Sequence, residues 1–220
     1  MTVYIPQSRG ELAPRYHYMS INAFWQGGLR NFILVRFLES CSCGIISVKS
    51  GFRGHVIMGT VIIRNAKMDE CRELARIKGE VWNTTYRGIY ADTALDNYDV
   101  EKNNRIFQQI FNNPGIELFL AEVSGKIVGL MTCGNMFQPV EGFNQEIGLL
   151  YVLKEYQRMG IGRRFLETAK EIVKRNGCDR FLVSVNSQNK NAIAFYEKMG
   201  GREIAGQNCQ KRFCFIVSEE

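Results

Sequence analysis

Apolar positions from residue 58 onward follow two periods, one typical of helices and one typical of strands. Apolar residues three or four apart predict helices that begin near Asp69 and cover residues 100–111, 160–176 and 189–199. Alternating or short continuous apolar runs predict strands at residues 61–64, 118–123, 126–133, 146–152, 181–185, 202–205 and 212–217. Ser124-Gly125 predicts a tight hairpin. This order of elements predicts an α/β domain with a mixed sheet flanked by helices.

A glycine-containing turn joins the strand at 146–152 to the helix at 160–176. Its residues are Gln157, Arg158, Met159, Gly160, Ile161 and Gly162. The first N–H groups of a helix lack intrahelical acceptors, and the helix dipole adds partial positive charge there. The two glycines let an anion approach the backbone without meeting a Cβ, although they can also serve the geometry of the turn alone. With Arg163 and Arg164 next to it, the turn predicts a site for a diphosphate.

The common nucleotide-binding patterns do not account for this turn. The sequence has no Gly-x-x-x-x-Gly-Lys-Ser/Thr run of a phosphate-binding loop. It also lacks an early Gly-x-Gly-x-x-Gly followed by an acidic residue about 20 positions later. The turn therefore predicts a phosphorylated ligand of another kind.

Composition limits the class of protein. The 220 residues suffice for one domain plus an extension, and 45% hydrophobic with 23% charged residues is typical of a soluble globular protein. The sequence contains no apolar run of membrane-spanning length and no clean signal peptide. Seven cysteines without a Cys-x-x-Cys pair indicate reduced thiols and a cytoplasmic protein.

The net charge of +6 does not predict a nucleic-acid partner, because of how it is distributed. Residues 1–57 hold six Lys/Arg and two Asp/Glu, whereas residues 58–220 hold 22 and 20. No predicted helix combines a basic face with interleaved aromatic residues. A local phosphorylated ligand explains the arginines at the turn better than a nucleic acid does.

Residues 1–57 differ in character from the rest of the chain. They show no sustained helical or alternating period, and they contain both histidines, His17 and His55. Either translation starts at Met58 and the upstream residues come from a misassigned start codon, or they form an accessory arm. Both interpretations predict that residues 1–57 are poorly packed and that residues 58–220 form the domain.

A second motif, after the strand at 181–185, completes a family resemblance. It has Asn189, Ala192, Phe195-Tyr196, Lys198 and Gly200 at fixed spacing, about 30 residues after the glycine turn. Both motifs, in this order, resemble the GNAT superfamily of acyl-CoA-dependent N-acetyltransferases over residues 58–217. The resemblance implies a mixed, mostly antiparallel central sheet flanked by helices on both faces. It also implies acetyl-CoA as the acyl donor and no metal.

The resemblance further implies roles for individual residues. Cofactor contacts are assigned to Leu150, Tyr151, Val152, Gln157, Arg158, Met159, Gly160, Ile161, Gly162, Arg163 and Asn189. The backbone of residues 150–152 would hold the pantetheine arm and polarise the thioester carbonyl. Residues 158–162, with Arg163, would cradle the pyrophosphate, and Asn189 would lie near the thiol. Tyr196 would protonate the departing thiolate, since a phenol of pKa about 10 faces a thiol of pKa about 8.5.

A base must remove a proton from the acceptor ammonium before the amine can attack. Neither histidine lies beyond residue 57, and Glu146 matches the position where several family members carry a glutamate base. A period of two would place positions 146, 148, 150 and 152 on one face. The alternative is that Glu146 is a solvated carboxylate at a strand end. Family members that acetylate ribosomal-protein N-termini carry a glutamate where this chain has Ser184, which counts against that activity.

The acceptor is less defined by the sequence than the cofactor. Trp82, Tyr86, Tyr90 and the loop at 136–144 are candidates to line its pocket, although core packing suits Trp82 better. A small-molecule amine and a protein lysine both stay open as acceptors, and so does a homodimer. A non-catalytic acyl-CoA-binding module is the alternative from another class. Neither a nucleic acid nor a membrane is expected as a partner.

Overall fold

The computed structural model describes residues 60–140, 142–204, 206 and 209–217. The prediction of a poorly packed segment at 1–57 lies outside these residues. The described strands are β1 (Val61–Asn65), β2 (Ile116–Val123), β3 (Lys126–Val140), β4 (Phe143–Val152), β5 (Arg180–Asn186), β6 (Arg202–Ile204) and β7 (Gln210–Ile216). The described helices are α1 (Cys71–Thr85), α2 (Asp92–Asp96), α3 (Val100–Phe111), α4 (Ile161–Arg175) and α5 (Lys190–Lys198), with short 3₁₀ turns at Met68–Glu70 and Lys154–Tyr156. All four predicted helices are confirmed.

The described strands form one seven-stranded sheet in the order β1-β2-β3-β4-β5-β7-β6. Every neighbouring pair is antiparallel except β4 and β5, which are parallel. That pair is joined only at Glu146–Leu182 and Ile147–Val183. The predicted mixed, mostly antiparallel sheet is therefore confirmed, and the two central strands separate beyond Ile147.

Helices cover both faces of the sheet, as predicted. On one face, the Trp82 indole of α1 donates a hydrogen bond to the Tyr151 hydroxyl of β4 at 3.0 Å. On the other face, the Cys133 thiol of β3 lies 4.0 Å from the Ala169 carbonyl of α4. α5 shares the α4 face, since Tyr196 stacks on Phe213 of β7 with ring centroids 5.6 Å apart.

A β-bulge in β4 overturns the expected period of two. Thr132 pairs with Leu149 and Cys133 with Ile147, so that Gly148 is an extra residue without a partner in β3. Cys133 and its partner Ile147 face α4. The prediction that positions 146, 148, 150 and 152 share one face is wrong, because the extra residue shifts the alternation.

The two faces of β4 follow from its pairing with β3. A Cβ on Gly129, the partner of Val152, would lie 3.5 Å from the Phe165 ring of α4, so Val152 and Leu150 face α4. Tyr151 faces α1. Glu146 precedes Ile147 and therefore lies on the α1 face with Tyr151.

The loop expected at residues 136–144 is instead the end of a long hairpin. β3 continues to Val140, and β4 begins at Phe143. Side-chain amides hold its base: Gln145 donates to Asn135 Oδ1 at 2.7 Å, and Asn176 donates to Gln145 Oε1 at 2.8 Å. Partners distant in sequence therefore help to keep this segment extended, which a local pattern does not show.

Helix α1 contains a buried lysine, Lys78, which contacts α3. The Lys78 amine donates to Asn103 Oδ1 at 2.8 Å and lies 5.0 Å from the centroid of the Trp82 ring. Burial lowers the pKa of Lys78 well below its ordinary value. Among the described residues, no helix is long and apolar enough to cross a membrane.

Lys78 should give the free energy of unfolding a contribution that rises with pH. Between the lowered folded pKa and the ordinary unfolded pKa of this amine, the unfolded chain binds more protons, so raising the pH favours the folded chain. The buried Cys133, whose thiol pKa is raised to about 12, contributes with the opposite sign, so the Lys78 contribution is read from the difference between variants. In urea unfolding between about pH 8 and about pH 10, the Lys78 contribution should have a slope of at most about 1.4 kcal/mol per pH unit. Lys78→Met should flatten that slope, whereas Lys174→Met, at an exposed position, should preserve it.

The slope is the quantity to compare, because Asn103 loses its lysine donor in the variant whatever the pH. An equal slope in the wild type and Lys78→Met would contradict the assignment of a lowered pKa to this amine.

Candidate active site

The glycine turn before α4 forms an open cradle. Gly160 is the N-cap of α4 with φ +79°, and Arg158 is also left-handed with φ +69°. The first helical hydrogen bond runs from the Arg164 N–H to the Gly160 carbonyl, which leaves the earlier N–H groups directed out of the helix. No acidic residue lies in the first turn. A Cβ on Gly160 would meet nothing within 4 Å, so the space above it is open. These features fit a diphosphate.

The other glycine of the turn, Gly162, is explained by helix packing. A Cβ on Gly162 would lie 3.0 Å from the Phe195 ring of α5. Gly162 therefore allows α4 and α5 to pack closely, rather than leaving room for a ligand.

The three arginines near the cradle differ in their contacts. Arg163 forms an exposed ion pair with Glu167 at 2.8 Å, and Arg164 donates to the Val61 carbonyl of β1. Arg158 is exposed, and no partner for it lies within the described part of the chain. The resemblance implied cofactor contacts for both Arg158 and Arg163, and of the two only Arg163 has a partner in the described segments.

The separation of β4 from β5 leaves backbone groups of β4 at an open edge. The Leu153 N–H donates to the Val128 carbonyl at 2.9 Å, and the Leu149 N–H donates to Thr132 Oγ1 at 2.9 Å, both towards β3. Because N–H directions alternate along a strand, the amides of Leu150 and Val152 face the β5 side, where no ladder continues. Gln157 donates from its side chain to the Val152 carbonyl at 3.0 Å.

Tyr151 does not share this edge. Its carbonyl oxygen points at β3, 2.7 Å from the position that a Cβ on Gly129 would take. Of the three backbone contacts that the resemblance implied, the geometry leaves those of Leu150 and Val152 available. The remaining residues of the turn, Met159 and Ile161, lie at the base of the cradle, with Ile161 buried in the core.

Tyr196 carries an orphaned polar group. Its side chain is fully buried, and its hydroxyl has no hydrogen-bond partner among the residues that the structure describes. Burial raises the pKa of Tyr196 well above its ordinary value, and the nearby Tyr86 adds to the rise. Tyr196 lies on α5 and its ring packs against Phe213 of β7. A buried hydroxyl without a partner is costly, and a functional role is one explanation for keeping it.

Asn189 acts locally in this structure. It is the N-cap of α5, and its Oδ1 accepts from the Ala192 N–H at 3.1 Å. This contact explains the residue through helix capping. Its predicted contact with the cofactor stays a prediction.

Glu146 is half-buried on the α1 face of β4. Its Oε1 accepts from the Phe137 N–H at 3.4 Å, and no Lys or Arg of the described segments pairs with it. Its carboxylate oxygen lies 3.9 Å from the position that a Cβ on Gly148 would take. A carboxylate held in this way is able to accept a proton, directly or through water.

The aromatic candidates for the acceptor pocket form one cluster over the α1 face. Tyr86 and Tyr90 have ring centroids 4.9 Å apart, and Trp82 lies 6.0 Å from Tyr90. Trp82 and Tyr86 are buried, whereas Tyr90 is half-buried. Asn186, at the end of β5, donates to the Tyr90 hydroxyl at 3.3 Å. Tyr90 is therefore the member placed to meet a ligand.

Two residues of this region have no motif in the sequence that points to them. Thr132 accepts the Leu149 N–H at the bulge, and Asn186 holds Tyr90. Both act through partners distant in the chain, so a local pattern could not identify them. In the described part of the chain, no three His, Cys, Asp or Glu side chains cluster as metal ligands would.

Comparisons with known proteins agree with this geometry. The model of the Acetyltransferase (GNAT) family matches residues 79–201. The uncharacterized N-acetyltransferase YuaI of Bacillus subtilis is 27% identical over 150 residues, which cover 67% of this chain and 84% of that protein. A spermidine N(1)-acetyltransferase of Thermoplasma acidophilum is 25% identical over 146 residues, which cover 64% of this chain and 88% of that protein.

A solved structure supports the fold. The PaiA N-acetyltransferase from Thermoplasma acidophilum, in complex with coenzyme A, superposes with a TM-score of 0.60 at 22% sequence identity. The match covers 70% of this chain and 98% of that one. At this identity, the likeness establishes the architecture rather than the chemistry.

Gly160→Ala should weaken the binding of acetyl-CoA by at least about tenfold. The methyl group would fill the open cradle, and the left-handed backbone would cost about 1–2 kcal/mol. The matched control is Gly177→Ala, since Gly177 follows the other end of α4 with φ +71° and equally open surroundings. Calorimetric titration of the full chain should show weaker binding for Gly160→Ala alone, although both variants lose stability. Equal affinities for the two variants would argue against the cradle.

Proposed function

The chain belongs to the GNAT acetyltransferase family and is an acyltransferase, and from this premise we propose that it moves the acetyl group of acetyl-CoA to a primary amine by direct attack. Two observations support the proposal: β4 and β5 separate beyond Ile147, and the buried Tyr196 hydroxyl has no partner among the residues that the structure describes. Acetyl-CoA supplies the activated thioester. The residues of the chain bind it, orient it and move protons.

The cradle and the strand edge would bind the donor. The outward N–H groups at the start of α4 suit the pyrophosphate, with Arg158 beside them. The amides of Leu150 and Val152 suit the polar groups of the pantetheine arm and the thioester carbonyl, because they face the gap left by β5. Gln157 already occupies the Val152 carbonyl, which steadies this edge.

Two side chains would handle the protons. Glu146 would accept the proton of the acceptor ammonium, through water if the distance requires it. Tyr196 would donate to the departing thiolate. Its raised pKa keeps it protonated at neutral pH, and the departing sulfur would accept a hydrogen bond from its hydroxyl.

The acceptor class follows from the cluster on the α1 face and from the relatives. Aromatic rings attract alkylammonium groups, and Tyr90 presents a half-buried ring beside the gap. The spermidine N(1)-acetyltransferase relative acts on an aliphatic amine. We propose a small aliphatic primary amine as acceptor. The free cysteines Cys71, Cys133, Cys178, Cys209 and Cys214 suit a reducing compartment, and we propose the cytoplasm.

The function is tested by release of the CoA thiol. The full chain is incubated with acetyl-CoA and either spermidine, cadaverine or the diol that matches cadaverine in length. We expect thiol release with the amines and not with the diol. Tight binding of acetyl-CoA without release in the presence of any amine would instead support the non-catalytic acyl-CoA-binding alternative.

Tyr196→Phe should separate activity from stability. Loss of the proton donor should lower kcat by about a hundredfold or more. The folded state should not be destabilised, because within the described segments the buried hydroxyl has no partner and costs about 1–3 kcal/mol. Thermal melting and steady-state kinetics measure the two effects. Wild-type kcat in a folded Tyr196→Phe protein would exclude Tyr196 as the acid.

Glu146→Gln should lower activity most at pH values below the pKa of the acceptor amine, where the base is needed. Above that pKa the amine is already neutral, so the variant should approach the wild type. Profiles of kcat/KM against pH for both proteins test this, and Glu122→Gln, on β2, controls for loss of a carboxylate. Parallel profiles for wild type and Glu146→Gln would leave Glu146 as a solvated carboxylate.

A further inference from the structure

The bulge in β4 is held by a single side chain. Thr132 is almost fully buried on β3, and its Oγ1 accepts the Leu149 N–H at 2.9 Å. The bulge removes the regular ladder partner at this point, since Gly148 has none in β3. A buried N–H left without an acceptor is costly, so the threonine hydroxyl replaces the missing carbonyl.

Gly148 lies close to the same threonine side chain. A Cβ on Gly148 would lie 3.0 Å from Thr132 Oγ1 and 3.9 Å from Glu146 Oε1. The strand therefore passes close over the hydroxyl, and a larger residue at 148 would press on it. Thr132, Gly148 and Glu146 consequently lie together on the α1 face.

The bulge determines the face of β4 on which the Glu146 side chain lies, and so its position relative to the amides of Leu150 and Val152. With a regular period of two, Glu146 would lie on the same face as the side chains of Leu150 and Val152, against α4. The extra residue instead turns Glu146 to the α1 face, which carries Tyr151, Trp82 and Tyr90. The β-bulge at Gly148 thus sets the position of Glu146, on the side from which the acceptor would approach, relative to the strand edge that would hold the thioester.

We propose that Thr132 is a positioning residue for acetyl transfer: its hydroxyl pins the bulge that aligns Glu146 with the amides of Leu150 and Val152. This inference rests on the proposed function. Thr132 does not touch the cradle, which lies at the opposite end of the β4 edge, at the start of α4. Its loss should therefore affect turnover far more than the binding of acetyl-CoA.

Thr132→Val is the direct test, since valine keeps the shape and loses the acceptor. We expect kcat to fall by about tenfold to a hundredfold, as for a small misplacement of reacting groups, with the affinity for acetyl-CoA changed by less than about threefold. Thr132→Ser, which keeps the hydroxyl, should restore most of the turnover. Ile172→Val, in the α4 core, controls for a modest loss of packing. The full chain is used throughout, with calorimetry for binding and melting for stability.

Amide hydrogen exchange adds a readout that does not depend on activity. The Leu149 amide should exchange about tenfold or more faster in Thr132→Val than in the wild type, and slowly again in Thr132→Ser. Faster exchange together with an unchanged kcat would overturn the positioning role alone. So would a kcat loss of equal size in Ile172→Val, or no rescue by Thr132→Ser. A wild-type chain that binds acetyl-CoA and acetylates no amine would overturn the proposed function, and the positioning role with it.

Discussion

The separation of β4 from β5 after two residue pairs is the constraint on which the site depends. In a continuous sheet, the amides of Leu150 and Val152 would be used by the neighbouring strand. Here they end at a gap, and a backbone donor at such a gap favours a ligand that accepts hydrogen bonds.

An opening in the middle of a sheet needs support from elsewhere, and the α1 face supplies it. A buried series of contacts connects α3 and α1 to β4. It runs from Asn103 to Lys78, then to the Trp82 ring and from its indole N–H to the Tyr151 hydroxyl. On the other face, the side chains of α4 pack against β3 and β4. β4 is thus fixed by β3 and by both layers of helices, so its free edge keeps a defined position. Such an edge is preorganised for a ligand.

Features that depend on neighbours within a few residues were predictable from the sequence. The helix at Val100–Phe111 has the predicted bounds, because its apolar period and the Asp99 N-cap are local. The helices predicted at residues 160–176 and 189–199 also lie within a residue of their predicted bounds, because each begins at a local N-cap, Gly160 or Asn189. The order of strands and helices, and with it the family, follows from these local signals together with the spacing of two motifs.

How these elements meet depends on contacts between residues far apart in the chain. The bulge depends on Thr132 and Leu149, which are 17 residues apart, and a period of two cannot contain an extra residue. The base of the β3–β4 hairpin is held by side-chain amides from two strands and from the end of a helix. The need for glycine at position 162 comes from the Phe195 ring of α5. Which arginine is available follows from partners as distant as Val61. The local backbone and the types of groups at the site could be predicted from the sequence, because those are set by short-range sterics and hydrogen bonds. The facing of Glu146, the burial of Tyr196 and the open edge between them arise from long-range packing, which no local pattern encodes.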